Sequence, residues 1–179
     1  MTGARPISPP ERLAAAHRRE GFDCGEPSLN EWLQRRALKN DEAGASRTYV
    51  ACQVSRVIGY YSLAAGSMMR EQAPGRVRRN MPDPIPVIVL ARLAVDRRFQ
   101  RLGVGSELLH DAVLRCLQAA AIAGVRAILV HTLSDDAKSF YQTNGFIASP
   151  ADPSVLMITA AEAIRARGFL SALPRIRTL

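Results

Sequence analysis

The residues that could do chemistry begin with Arg98-Phe99-Gln100-Arg101-Leu102-Gly103-Val104-Gly105 in a 179-residue chain. The stretch follows an apolar, strand-like run, Val87 to Val95, and opens an amphipathic helix whose stripe is Leu109, Val113, Cys116, Leu117 and Ala120. Strand, glycine-containing turn and helix N-terminus together suit an anionic phosphate. The first amides of a helix lack intrahelical partners, and the helix dipole is positive there. Gly103 and Gly105 carry no Cβ, so a ligand can approach the backbone. Arg98 and Arg101 add charge. The spacing is Gln-x-x-Gly-x-Gly. The Lys-Ser/Thr pair of a nucleotide-hydrolysing loop is absent, and so is the first glycine of the dinucleotide fingerprint. Taken alone, the motif equally describes an ordinary helix start.

Charge is the second signal. The net charge is +8, and residues 70 to 101 hold eight arginines against three acidic side chains. Residues 1 to 47 are nearly neutral. A basic surface focused in this way suits a polyanionic partner. Nucleic acid is the favoured partner, with a nucleotide-like cofactor that needs only local charge as the alternative.

Composition narrows the class. With 47% hydrophobic residues, the chain reads as one domain, 1–179, with a loose tail over 1–10 and a C-terminal helix and tail over 160–179. No apolar run is long enough to span a membrane. Met1 to Pro10 holds three prolines and no apolar core, unlike a secretory leader. Cys24, Cys52 and Cys116 are dispersed and odd in number, which points to no metal, no disulfide framework and a reducing cytoplasm.

The elements that must position these residues follow from pattern. Leu13 to His17 reads as a short strand. Ser28 and Glu31 form a capping box for a helix bearing Leu29, Trp32 and Leu33. Thr48–Val54 and Val57–Ala65 form a hairpin across Ser55-Arg56. Gly66 to Pro86 reads as a long basic loop, a length that usually signals function. Val87–Val95 is the central strand, followed by a helix over Gly103–Ala123 and a strand over Ala127–His131. A helix over Asp135–Thr143, capped by Ser134, comes next. Strands at Phe146-Ile147 and Val155–Thr159 precede a helix over Ala160–Arg167. The strand-helix-strand unit makes Val87–Val95 and Ala127–His131 parallel neighbours or near neighbours, giving an α/β fold with a mixed sheet.

With Leu93-Ala94-Val95, the Gln100–Gly105 turn and Phe140-Tyr141-Gln142-Thr143-Asn144-Gly145-Phe146, this order resembles the GNAT acetyltransferases from about residue 10 to 160. Phe22-Asp23-Cys24-Gly25-Glu26-Pro27-Ser28-Leu29, the loop Arg78 to Pro86 and Ala91-Arg92-Leu93-Ala94-Val95 are most similar to the family's toxins in type II toxin–antitoxin pairs. The resemblance implies a mostly antiparallel sheet flanked by helices, with a central parallel strand pair that splays apart. It implies acetyl-CoA as cosubstrate and no metal. The pyrophosphate would lie on the amides of Arg101, Leu102, Gly103, Val104, Gly105 and Ser106, with Gln100 as a further cofactor-binding residue and Arg98 and Arg101 beside it. The Leu93-Ala94-Val95 backbone would pair with the pantetheine arm. Tyr141, otherwise a plain packing residue, becomes the donor to the departing thiolate.

The family's toxins acetylate the α-amine of aminoacyl-tRNA and block translation. The resemblance makes Arg76, Arg78, Arg79 and Arg92 the candidates for tRNA phosphate contacts, which position an RNA without reading its sequence. Implied partners are aminoacyl-tRNA, a ribbon-helix-helix-like antitoxin, DNA only through that antitoxin, and a second copy of the chain. No Asp or Glu lies inside Val87–Val95 or Ala127–His131 to serve as a strong base. An α-amine, with a pKa of about 8, needs one less than a lysine does. His131 is the alternative base. The competing readings are acetylation of a small amine or protein N-terminus, and a non-enzymatic co-repressor. The arginine cluster argues against cationic small acceptors, and no helix-turn-helix pattern stands out.

Overall fold

The computed structural model describes residues 6–166. Seven strands, β1 (Glu11–Arg12), β2 (Arg47–Gln53), β3 (Arg56–Met68), β4 (Ile85–Val95), β5 (Ala127–His131), β6 (Ile147–Ala148) and β7 (Val155–Thr159), form one sheet in the order β1-β2-β3-β4-β5-β7-β6, antiparallel except for the parallel pair β4–β5. The described residues divide into two compact units, one of 6–65 with Leu90–Ala112 and one of Gly66–Val89 with 113–166. Among the described residues no helix is long and apolar enough to cross a membrane.

In the first unit, β1 (Glu11–Arg12) pairs with β2 (Arg47–Gln53), and β2 pairs with β3 (Arg56–Met68). The hairpin turn is Val54-Ser55, one residue earlier than expected, with φ of 48° and 61°. Such left-handed pairs match the twist of a two-residue hairpin, and here that geometry prevails over the preference for glycine or asparagine. The expected strand at Leu13–His17 is a turn instead. Leu13 is buried and its amide donates to the Thr48 carbonyl, while strand pairing stops at Arg12. Nor is the N-terminal tail loose throughout, because the Ser8 amide donates to the Cys52 carbonyl and the Cys52 amide to Ser8 Oγ.

Helix α1 (Pro27–Arg35) is capped by Glu26 rather than Ser28, since Pro27 at the first position has no N–H to satisfy. Glu26 accepts from the Ser28 amide and hydroxyl, and Glu31 pairs with Arg35 instead of closing a box. Trp32 stacks on Tyr60 at 5.8 Å and Phe22 meets Tyr60 edge-on at 5.6 Å, so α1 covers the face of β3. Helix α2 (Ala37–Glu42) follows. It presents the buried Asp41 to the Thr48 amide and to Arg12, which hold its carboxyl below the usual range against the effect of burial.

In the second unit the expected loop from Gly66 to Pro86 is largely ordered. Strand β3 runs to Met68, a 3-10 turn spans Arg70–Gln72, α3 covers Gly75–Arg78, and β4 starts at Ile85 and ends at Val95. Burial explains the order: Ala73 and Val77 enter a cluster with Met68, Ile85 and Leu129. The Arg126 guanidinium then caps α3, donating to the carbonyls of Arg76 and Val77.

Strand β5 (Ala127–His131) pairs antiparallel with β7 (Val155–Thr159), which pairs with β6 (Ile147–Ala148). Helix α4 is Val104–Ile122, and α5 is Asp135–Thr143 with Ser134 as its cap. The final helix α6 (Ala160–Arg165) carries a reciprocal Thr159–Glu162 capping box. The expected end of that helix at Arg167 lies outside the described residues.

Candidate active site

The glycine motif forms the turn between β4 and α4, all of it in the first unit. A 3-10 turn over Arg97–Phe99 leads from the strand, with Asp96 as its cap. Arg101 has φ of 61° and Gly103 φ of 84°. The first bond of α4 runs from the Glu107 amide to the Gly103 carbonyl. The amides of Val104, Gly105 and Ser106 therefore precede the intrahelical ladder. Gly103 sits where a Ser or Asp would normally supply a capping oxygen. It has none, and a Cβ placed there would meet nothing within 4 Å. Backbone amides without intrahelical partners beside an uncrowded glycine are the donor set that a pyrophosphate requires. Arg101, Leu102 and Ser106 are exposed at this turn.

The other members of the motif hold the turn. The Gln100 side-chain nitrogen donates to the carbonyls of Val95 and Cys24, both at 2.9 Å. Arg98, expected beside the phosphate, lies forked on Asp96. The carboxyl of Asp96 is held below its usual range, first by the Arg98 side chain and then by the amides of Arg98 and Asp23. Asp96 is a functional residue of the corner that lies outside the glycine motif. Its signal in the sequence is its place, since an acidic residue leading into a turn is a natural acceptor for the next free amides. At the end of β4, Ala94 is buried, Leu93 and Val95 are half-buried, and Gln100 occupies the Val95 carbonyl.

Tyr141 belongs to the second unit. It is 7% exposed, edge-on to Phe140 at 5.2 Å and to Phe146 at 5.4 Å. Gly145, at φ of 90°, turns the chain so that the Phe146 amide returns to the Tyr141 carbonyl. The Phe-Tyr-x-x-x-Gly-Phe pattern is thus a local device that seats the phenol in an aromatic socket. Its hydroxyl has no hydrogen-bond partner among the described residues, and burial pushes its pKa up.

The second unit also carries an open basic hollow lined by Arg70, Gly75, Arg76, Arg78, Arg79 and Asn80. Arg76 is paired with Glu162 at 2.9 Å. Arg92 is not part of this hollow. It lies in the first unit, half-buried, with its guanidinium 4.2 Å from the centre of the Trp32 ring. Burial draws its pKa down. His131 is exposed at the end of β5 and borders a cavity of about 240 Å³ with Met68, Gln72, Val89, Leu129 and Asp152.

Residues 44–148 match the family described as "Acetyltransferase (GNAT) domain". The chain belongs to the GNAT acetyltransferases. This acetyltransferase is 53% identical over 156 residues to the "tRNA-acetylating toxin" of Mycobacterium tuberculosis (strain ATCC 25618 / H37Rv), covering 87% of this chain and 94% of the relative. Among solved structures it resembles AtaT complexed with acetyl-methionyl-tRNAfMet, at TM-score 0.82 and 26% identity, covering 93% of this chain and 100% of the other. It also resembles a mutant AtaT toxin bound to the C-terminus of the antitoxin AtaR and acetyl-CoA, at TM-score 0.76 and 26% identity, covering 89% of this chain and 97% of the other.

Proposed function

We propose that this acetyltransferase moves the acetyl group of acetyl-CoA to the α-amine of aminoacyl-tRNA, as the toxin of a type II toxin–antitoxin pair. The observation that carries the reading is the 53% identity to a tRNA-acetylating toxin across nearly its whole length. The basic hollow on α3 supports it, since four arginines on an open surface suit a phosphate backbone better than a cationic small amine.

Each residue has a role under this reading. The amides from Arg101 to Ser106 hold the pyrophosphate, Arg101 supplies charge, and the Leu93-Ala94-Val95 backbone lines the pantetheine arm. Gln100, Asp96 and Arg98 set the turn. Acetyl-CoA supplies an activated thioester whose sulfur leaves as the amine attacks. Tyr141 holds a proton for that sulfur. Burial keeps the phenol protonated at neutral pH, and the same apolar setting raises the basicity of a departing thiolate. Arg78 and Arg79 meet tRNA phosphates, with Arg76 beside them in its pair with Glu162. Arg92 serves by holding Trp32 or by touching the RNA at the edge of that stack. His131 is the candidate base should the α-amine need one.

We further propose a cytoplasmic protein of one functional domain, 1–179, acting as a homodimer. A small DNA-binding antitoxin neutralises it and brings it to DNA. The test is transfer of labelled acetyl groups by the purified protein. Label is expected on charged tRNA and not on deacylated tRNA. Equal labelling of both, or labelling only of small amines, overturns the reading.

A further inference from the structure

The segment Phe22–Leu29 stood out in the sequence without acquiring a chemical role. In the structure it is stitched to the phosphate turn within the first unit. The Asp23 carboxylate accepts from the Gly25 amide and from the Asn30 side chain, at 2.9 and 3.0 Å. The Asn30 side-chain oxygen accepts from the Cys24 amide at 2.9 Å. These bonds close a small loop whose Cys24 carbonyl is left facing Gln100, which donates to it at 2.9 Å. The second hydrogen of the same Gln100 NH₂ group goes to Val95, at the end of β4. Two further bonds reach the loop from the turn: the Arg97 amide donates to the Asp23 carbonyl at 2.8 Å, and the Asp23 amide to Asp96 at 3.4 Å.

We infer that the Asp23–Asn30 loop is a brace for the cofactor turn, with Gln100 as the positioning residue that joins loop, strand end and turn. The proposal rests on the acetyl-CoA reading of that turn. Its physical basis is placement. Arg101 and Gly103 both hold left-handed backbone, a conformation that costs an arginine energy and needs support from its surroundings. A turn tied at Gln100 presents its amides in one arrangement, so less ordering is left for the ligand to impose. The chemistry required of Gln100 is donation alone, because both partners are carbonyl oxygens. Arginine is a forked donor that can replace it, whereas glutamate has nearly the same shape and no hydrogens to give.

The test compares acetyl-CoA binding by calorimetry and steady-state kinetics in Gln100→Glu, Gln100→Arg and Asn30→Asp. Gln100→Glu is expected to weaken acetyl-CoA binding and raise its KM about tenfold or more, while kcat falls by a smaller factor. Gln100→Arg should recover most of the lost affinity. Asn30→Asp, which sets a second carboxylate against Asp23, should raise KM in the same way, and the double variant should be much less than additive. Hydrogen exchange at Gly25 should quicken in Gln100→Glu. Wild-type affinity in Gln100→Glu, equal damage by Gln100→Arg, or full additivity with Asn30→Asp overturns the brace. Failure of the wild-type protein to bind acetyl-CoA overturns the cofactor reading instead.

Discussion

Arg98 lies across Asp96 with its guanidinium forked over the carboxylate, Nε to Oδ1 at 2.9 Å and Nη2 to Oδ2 at 2.8 Å. Asp96 is 1% exposed and also accepts from the amides of Arg98 and Asp23, so one carboxylate closes the corner where β4 becomes the glycine turn. Asp96→Asn leaves a donor facing donors. It is expected to cost about 1–3 kcal/mol of stability, read from the urea midpoint. The carboxyl is held below its unfolded value, so its contribution is complete above about pH 4 and fades as pH falls through the folded value. Wild-type stability should therefore drop below pH 4 more steeply than that of the variant.

Arg101 and Arg98 should differ as cofactor residues although both flank the motif. Arg101 is exposed and has no ion-pair partner among the described residues, whereas Arg98 is already neutralised by Asp96. Arg101→Gln is expected to weaken acetyl-CoA about three- to tenfold, with the deficit shrinking as salt rises. Arg98→Gln should weaken it less and lower stability more, as measured by calorimetry beside thermal melts.

Removing the Tyr141 hydroxyl leaves the aromatic socket intact, because the ring contacts with Phe140 and Phe146 involve no oxygen. Tyr141→Phe is expected to reduce kcat about a hundredfold or more with little change in melting temperature. Burial raises the phenol, so the pH profile of the wild-type enzyme should rise through the acceptor amine near pH 8. It should then show no decline up to about pH 10. A falling limb between pH 8 and 10 would assign the proton to another group.

The basic hollow should act on tRNA alone. Arg78→Glu with Arg79→Glu is expected to raise the KM for charged tRNA and to flatten the salt dependence of binding by about one to two phosphate contacts, with the acetyl-CoA KM unchanged. Arg76→Glu should behave differently. It sets two carboxylates together where Arg76 now pairs with Glu162, and so lowers stability as well.

Elements with a clear period were legible in the sequence. Asp135–Thr143 and Val155–Thr159 appear with their expected bounds, and the parallel β4–β5 pair follows from the strand-helix-strand order. The segment from Gly66 to Pro86 was not, since its order depends on two apolar residues, Ala73 and Val77, reaching a distant cluster and on Arg126 capping α3. Neither effect has a local signature. Within the site, the open turn at Gly103 was readable from residue type. The work of Gln100 and Asp96 was hidden, because a side chain that binds its own backbone looks in sequence like one that binds a ligand.

Gly103 begins α4 without an oxygen to close the helix, so under the proposed reading the cosubstrate finishes a piece of secondary structure that the chain leaves open. A ligand that completes a fold also stabilises it, by about 2.7 kcal/mol when present at a hundred times its dissociation constant. The lifetime of this acetyltransferase against proteases that attack opened chains should then track the cellular supply of acetyl-CoA. A starving cell would hold not only a slower enzyme but also a shorter-lived one.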